Sequence, residues 1–395
     1  MAGNRMRRLG LLAAALLASA QLATAAESGL ALPTYTPGYE PATVDERGMW
    51  MEADERERML RDSPLRINDG KLEPYVRAVL CREVGTERCQ GVRVYVMEIP
   101  AFNATMMPNG CMEVWSGLLL RARSEAELAA VLGHEFGHFE LRHSLMGFKN
   151  RRGSSDVAAW IGVLGGLSNV NTGSLQATIV ASTHRFDRDQ ETSADLLGMK
   201  YMATSGYPSK ASAAVWRQLM AEQDATATGR GLKLKQQYTA GTFATHPTNL
   251  ARATYLAAQA EKTPGGTDDR AAEYRAAIAP YLPRLLAAQN KMNDFGGSDF
   301  IMAAIAERTG WTGDLLFARA ELYRARGNPR DLQMASTWYR EAKMAGYAAP
   351  DLDRNLGLAL LRNGQAEEGR QALAAYLAAN PAASDATMIQ TLMAN

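Results

Sequence analysis

His134-Glu135-Phe136-Gly137-His138 sets two imidazoles four residues apart, with a carboxylate between them. On a helix, positions i and i+4 share a face, so both rings can reach one ion. Glu135 stands beside the pair, placed to take a proton from a water that the ion activates. Neutral nitrogens together with a carboxylate in a tetrahedral site suit zinc, and a catalytic zinc keeps three protein ligands and one open position. A third histidine ten residues after the first would complete one such set. Here position 144 is Ser144, position 141 is Leu141, and His143 falls one residue short. The better third ligand is Glu191, in Gln190-Glu191-Thr192-Ser193-Ala194-Asp195-Leu196-Leu197-Gly198. This stretch reads as helix, so Glu191 and Asp195 share a face; one carboxylate can bind zinc while the other orients a ligand histidine. The expected chemistry is metal-assisted hydrolysis with Glu135 as general base. A structural zinc site is the poorer reading, because such sites close four ligands rich in Cys.

Elements must hold these groups. Ser124 with Glu127 three residues later is a capping-box signature, and Leu128, Val131 and Leu132 follow at helical spacing, so the histidines ride on that helix. Val92, Val94 and Val96 alternate with Arg93, Tyr95 and Met97, the pattern of a half-buried strand. Pro108-Asn109-Gly110 marks a turn before a second short strand around Met112 to Trp115. That second strand reads as a sheet edge along which an extended substrate could pair by its backbone. Cys81 and Cys89 could pair in an oxidising compartment, or stay as two buried thiols; Cys111 is left over.

The whole chain is 395 residues, 47% of them hydrophobic, enough for two domains. Arg5, Arg7 and Arg8, the apolar run Leu9 to Ala20, and Ala23-Thr24-Ala25-Ala26 form the tripartite order of a cleaved signal peptide over residues 1–26, too short in its apolar part to be a membrane anchor. Its removal takes Lys+Arg from 43 to 40 against 42 acidic residues, a balance that does not call for nucleic acid. Residues 27–60 read as an extended lead-in. Thr263-Pro264-Gly265-Gly266-Thr267 reads as a linker, with 263–300 a linker and helical connection. Beyond it, Leu356-Gly357, Leu360, Gly364, Gly369, Leu373 and Pro381 fall at tetratricopeptide spacings, and Ala320, Tyr323, Gly327, Ala335, Tyr339 and Ala342 form a looser copy. Residues 301–395 therefore read as helical hairpins that bind partners, with a plain helical bundle as the alternative. The apolar stretch Val157 to Leu167 is too short to span a bilayer, and reads as a buried helix or as a loop touching membrane or unfolded protein.

His134-Glu135-x-x-His138 followed by Glu191-x-x-Ala194-Asp195 resembles metallopeptidase family 48, gluzincins that include heat-shock and prenyl-protein proteases. Asn103-Ala104, Pro108-Asn109-Gly110, Ser116-Gly117-Leu118-Leu119 and Glu127 to Gly133 carry the same resemblance, which covers roughly residues 100–260. The leader and helical tail look most like the family's periplasmic, β-barrel assembly-enhancing branch, although the tail here is shorter. The resemblance implies an α+β, mostly helical zincin-type protease domain over 61–262, followed by an all-α tetratricopeptide-like domain. It implies one Zn2+ on His134, His138 and Glu191, and Glu135 as catalytic base. Asp195 stands where the family has a residue often taken as a proton donor; orienting a ligand is the physically simpler role. By its own sequence, His246 before Pro247 is a loop residue ahead of a helix. The resemblance implies that it can cap the zinc as a regulatory fourth ligand. The function so implied is an envelope endopeptidase acting in the periplasm on misfolded or stalled outer-membrane proteins. The alternative is a chaperone or adaptor working through the tail with the outer-membrane assembly machinery, in peripheral contact with the membrane and without a transmembrane helix.

Overall fold

A computed structural model describes residues 32, 39–146, 188–234 and 250–394. The expected signal peptide, the Val157 to Leu167 run and His246 lie outside the described residues.

A three-stranded sheet lies ahead of the helix that carries the two histidines. β1 (Arg93–Met97) runs parallel to β3 (Cys111–Trp115), with Arg93 facing Cys111 and Met97 facing Trp115; β2 (Ala104–Met106) runs antiparallel on the other side of β3. The Pro108-Gly110 turn closes the β2–β3 pair, Gly110 N–H donating to the Met107 carbonyl at 3.0 Å. β3 is therefore the central strand rather than an edge. With both of its sides paired it has no ladder left for a substrate, and the edge strand on this side is β2.

From Val44 onward, the lead-in expected to be extended is a helix, α1 (Val44–Arg61). Thr43 caps it by accepting from Glu46 N–H, and Glu46 returns the bond to Thr43 N–H, a reciprocal box that outweighs the charged, Pro-flanked composition of the segment. α1 lies against the sheet: Ala53 and Leu60 pack with Tyr95 and Met97, while Val94 and Val96 face the main core. β1 is thus buried on both faces beyond Arg93, not half-buried as its alternation suggests. Cys81, near the end of α2 (Leu72–Val84), is disulfide-bonded to Cys89 of the short α3 (Thr86–Cys89), Cα to Cα 5.1 Å. Cys111 is a buried free thiol.

After α4 (Ser116–Arg121) come α5 (Glu125–Glu140), α6 (Arg188–Ser205), α7 (Lys210–Gly229) and α8 (Leu250–Lys262). Ser124 caps α5 as expected, accepting from Glu127 N–H at 3.2 Å, but the Glu127 carboxylate turns to Arg123 instead of closing the box. α5 and α6 cross closely where both carry glycine. A methyl group at Gly137 would lie 3.0 Å from the Ala194 carbonyl, and one at Gly198 would lie 3.1 Å from His134 N. The Thr263 to Thr267 segment is docked rather than loose: Gly265 bridges to Pro208, and a side chain there would strike the Tyr207 carbonyl at 2.1 Å.

The remaining chain is helical: α9 (Ala271–Ile278), α10 (Leu282–Asn290), α11 (Phe295–Thr309), α12 (Gly313–Arg326), α13 (Pro329–Met344), α14 (Leu352–Arg362), α15 (Ala366–Ala379) and α16 (Ala386–Ala394). α12 pairs with α13, and α14 with α15, where Gly357 sits against the Leu373 side chain. One apolar cluster runs from Ile67 to Leu322, and a second gathers Leu316, Trp338, Tyr339, Leu356 and Leu360. Among the described residues the protein is mostly helical with one small sheet. Among the described residues no helix is long and apolar enough to cross a membrane.

Candidate metal centre

α5 delivers His134 and His138 one turn apart, as the i, i+4 spacing requires, and α6 lays Glu191 across them. His134 Nε2 and His138 Nε2 are 3.1 Å apart; Glu191 Oε1 is 3.5 Å from His138 Nε2, and Glu191 Oε2 is 3.7 Å from His134 Nε2. All three residues are buried. Ion-to-ligand bonds of about 2.0–2.1 Å place the corners of a tetrahedral site roughly 3.3–3.4 Å apart. The separation of the two ring nitrogens and the nearest approach of a Glu191 oxygen to each ring lie near that value, one ligand atom from each residue falls within 4.8 Å of the others, and two imidazole nitrogens with a carboxylate are a donor set that zinc accepts. The residues fit the ion.

The surroundings hold these ligands in place. Asp195, one helical turn beyond Glu191, brings Oδ1 to 2.9 Å from His134 Nδ1. A carboxylate there fixes the proton on Nδ1 and leaves Nε2 for the ion. Arg252 of α8 donates through Nε and Nη2 to the two oxygens of Asp195, both at 2.7 Å, and its Nη1 is 3.1 Å from Glu191. Its Nη2 also lies 3.2 Å from each ring nitrogen of His134, and its guanidinium carbon is 4.3 Å from the centre of the Trp216 ring. The Tyr255 hydroxyl donates to Asp195 as well. Burial works against the charged form of Asp195, but Arg252 and His134 outweigh it and hold the carboxyl well below the usual range. Glu135, on α5 between the histidines, is buried.

Of the residues singled out from sequence, the structure gathers His134, His138, Glu191 and Asp195 at one point, with Glu135 on the same helix. Sequence reading missed three others. Arg252 carried a signal: a cation on the face of α8 that also presents Ala253, Leu256 and Ala260 to the core must find a buried counter-charge. Tyr255, on the next turn, followed from nothing in the pattern. From sequence, His143 reads only as a ligand one residue out of place. It is instead a neighbour of one, its Nδ1 2.8 Å from His138 Nδ1. Because His138 turns Nε2 toward the other ligands, its Nδ1–H donates to His143 Nδ1. His143 Nε2–H then faces Ser193 Oγ at 3.3 Å, and Ser193 donates to the Gln190 carbonyl at 3.0 Å.

The comparisons with known proteins point the same way. Residues 67–260 match the model of Peptidase family M48. The chain is 32% identical over 139 residues to the mitochondrial metalloendopeptidase OMA1 of Arabidopsis thaliana, covering 34% of this chain and 27% of that protein. It is 30% identical over 171 residues to a putative beta-barrel assembly-enhancing protease of Vibrio cholerae, covering 39% and 34%, and 30% identical over 158 residues to the metalloprotease LoiP of Escherichia coli, covering 39% and 57%. The matches thus span from about a quarter to just over half of these relatives. The ligand trio lies inside the segment, residues 67–260, that matches peptidase family M48.

Proposed function

We propose that the chain is a zinc-dependent endopeptidase of the bacterial cell envelope that cleaves misfolded or stalled envelope and outer-membrane proteins. The observation that carries the reading is the convergence of His134, His138 and Glu191, one ligand atom of each within 4.8 Å of the others, on the helix that also carries Glu135 and the one that crosses it. Bound zinc supplies an activated water and a polarised scissile carbonyl. The residues do the rest. Glu135 takes the proton of the water and passes it to the leaving amine. Asp195 holds His134 by Nδ1, and His143 holds His138 in the same way. Arg252 keeps Asp195 ionised and pinned. An extended substrate pairs with β2, the edge strand that packs against α5, so that its backbone lies along the ligand helix. Recognition by backbone pairing is tolerant of side chains, which suits unfolded clients. The putative assembly-enhancing protease among the relatives supports the envelope setting, and the Arg5 to Ala26 pattern supports export to the periplasm. The helical pairs after Gly313 are proposed to dock partners or substrate in tetratricopeptide fashion, with His246 as a regulatory cap on the zinc.

Glu135→Gln tests the mechanism. The variant keeps its fold and its zinc but should lose about 10²–10⁴-fold in hydrolysis of casein or an unfolded envelope protein. Hydrolysis at the wild-type rate would end the general-base assignment.

A further inference from the structure

The turn after α5 is built on a side-chain-bearing residue in an unfavourable backbone conformation. Arg142 has φ 55°, in the left-handed region that clashes with a Cβ. The next residue is His143, which meets His138. On an uninterrupted helix, residues five apart point about 140° away from each other, so the two rings could not face. The reversal at Arg142 is what returns His143 to the ligand.

The contact on Arg142 comes from the start of the described chain. Its guanidinium carbon lies 3.8 Å from the centre of the Tyr39 ring. Tyr39 is anchored in turn: its hydroxyl donates to Glu46 Oε2 at 2.8 Å, and its ring lies 5.6 Å from that of Trp50. Glu46 is the buried carboxylate that closes the α1 cap, also accepting from Ala42 N–H at 2.7 Å. α1 is fastened to the sheet by Arg56 on Glu113 at 3.0 Å and by Glu57 on the Tyr95 hydroxyl, also at 3.0 Å. Contacts therefore run unbroken from the sheet through α1, Tyr39 and Arg142 to His143 and His138, and from His143 to Ser193, two residues past Glu191.

We propose that Tyr39 is a positioning residue for the metal site: by a cation–π contact it holds Arg142 left-handed, which keeps His143 on His138 and sets the direction of that ligand. The lead-in ahead of the protease region is then part of the metal centre, and a partner that lifted Tyr39 would loosen the ion. This deepens the zinc-peptidase reading and rests on it.

The test is zinc affinity of the full chain, read by competition with a chromophoric chelator. Tyr39→Ala should weaken binding about tenfold, the lower end of what groups behind a ligand contribute. Tyr39→Phe keeps a ring over Arg142 and should stay within about twofold of wild type. Arg142→Gly takes the left-handed conformation without strain, so adding Tyr39→Ala to it should cost no more than about twofold. If the Tyr39→Ala loss persists undiminished in the Arg142→Gly background, or if Tyr39→Ala binds like wild type, the proposal is overturned. Should Tyr39→Ala unfold on heating below the wild-type transition, Tyr39→Leu, which fills the space without a π-face, replaces it with the same two outcomes. A wild-type chain that binds no zinc would overturn the metal reading itself, a result distinct from either.

Discussion

Glu83 faces Gly133, the residue just before the first ligand, and neither of its buried carboxylate oxygens has a hydrogen-bond partner among the described residues. A methyl group at Gly133 would come within 2.1 Å of Glu83 Oε1, so the carboxyl occupies space that only glycine leaves open on α5. Burial pushes the Glu83 pKa well above its ordinary value of 4.5. A folded-state pKa above the unfolded one means that the folded state binds the proton more tightly. Stability from this group is complete below about pH 4.5 and falls as the pH rises toward the folded pKa. Glu83→Gln keeps the shape and removes the charge. It should therefore raise the unfolding midpoint at pH 8 and leave it nearly unchanged at pH 4, measured by urea or thermal unfolding at both values. A stability difference independent of pH would show that folding does not raise the Glu83 pKa.

At the scale of elements, the packing of α11 and α12 decides where the protease region ends. Ile301, Met302, Leu315 and Leu322 share the apolar cluster that contains the metal helix, and α7 lies against α11. Arg121 and Glu222 form a buried ion pair with both oxygens at 2.7 Å; Gln289 joins Arg121 at 3.3 Å and donates to Ser298 at 3.2 Å. Burying each such apolar side chain is worth about 1.5–3 kcal/mol, so four of them approach the roughly 5–15 kcal/mol net stability of a domain. Deleting residues from Phe295 onward should leave no cooperative unfolding transition. Deleting from Pro329 onward should retain one, together with peptide hydrolysis. Calorimetry of the two truncations checks this, and a folded, active chain ending before Phe295 would contradict it. The same continuity explains what was legible in the sequence. The ligand helix and the Glu191 helix could be read because their chemistry sits at i, i+4 spacing, which any helix enforces. α1 carried the same capping-box spacing at Thr43 and Glu46 but was masked by its charged, Pro-flanked composition. The centrality of β3 depends on β1 arriving in parallel from earlier in the chain, a long-range pairing that alternation does not encode. Nor does sequence carry the left-handed turn at Arg142, since nothing in Leu141-Arg142-His143 names the residue that reverses.

Taken whole, the molecule is a small sheet and a set of helices arranged so that groups from four parts of the chain meet at one point: the two histidines from α5, Glu191 and Asp195 from α6, Arg252 from α8, and, through Arg142, Tyr39 from ahead of α1. Three buried carboxyl groups, Glu135, Glu191 and Asp195, stand beside one guanidinium, Arg252, a set to which a divalent cation would add the missing positive charge. The arrangement makes chemical sense around an ion and little sense without one. Elemental analysis of the purified full chain is thus the most direct test. The account predicts one zinc per chain in the wild type and close to none in Glu191→Ala, whose fold should survive by circular dichroism. Full zinc occupancy in folded Glu191→Ala would contradict it.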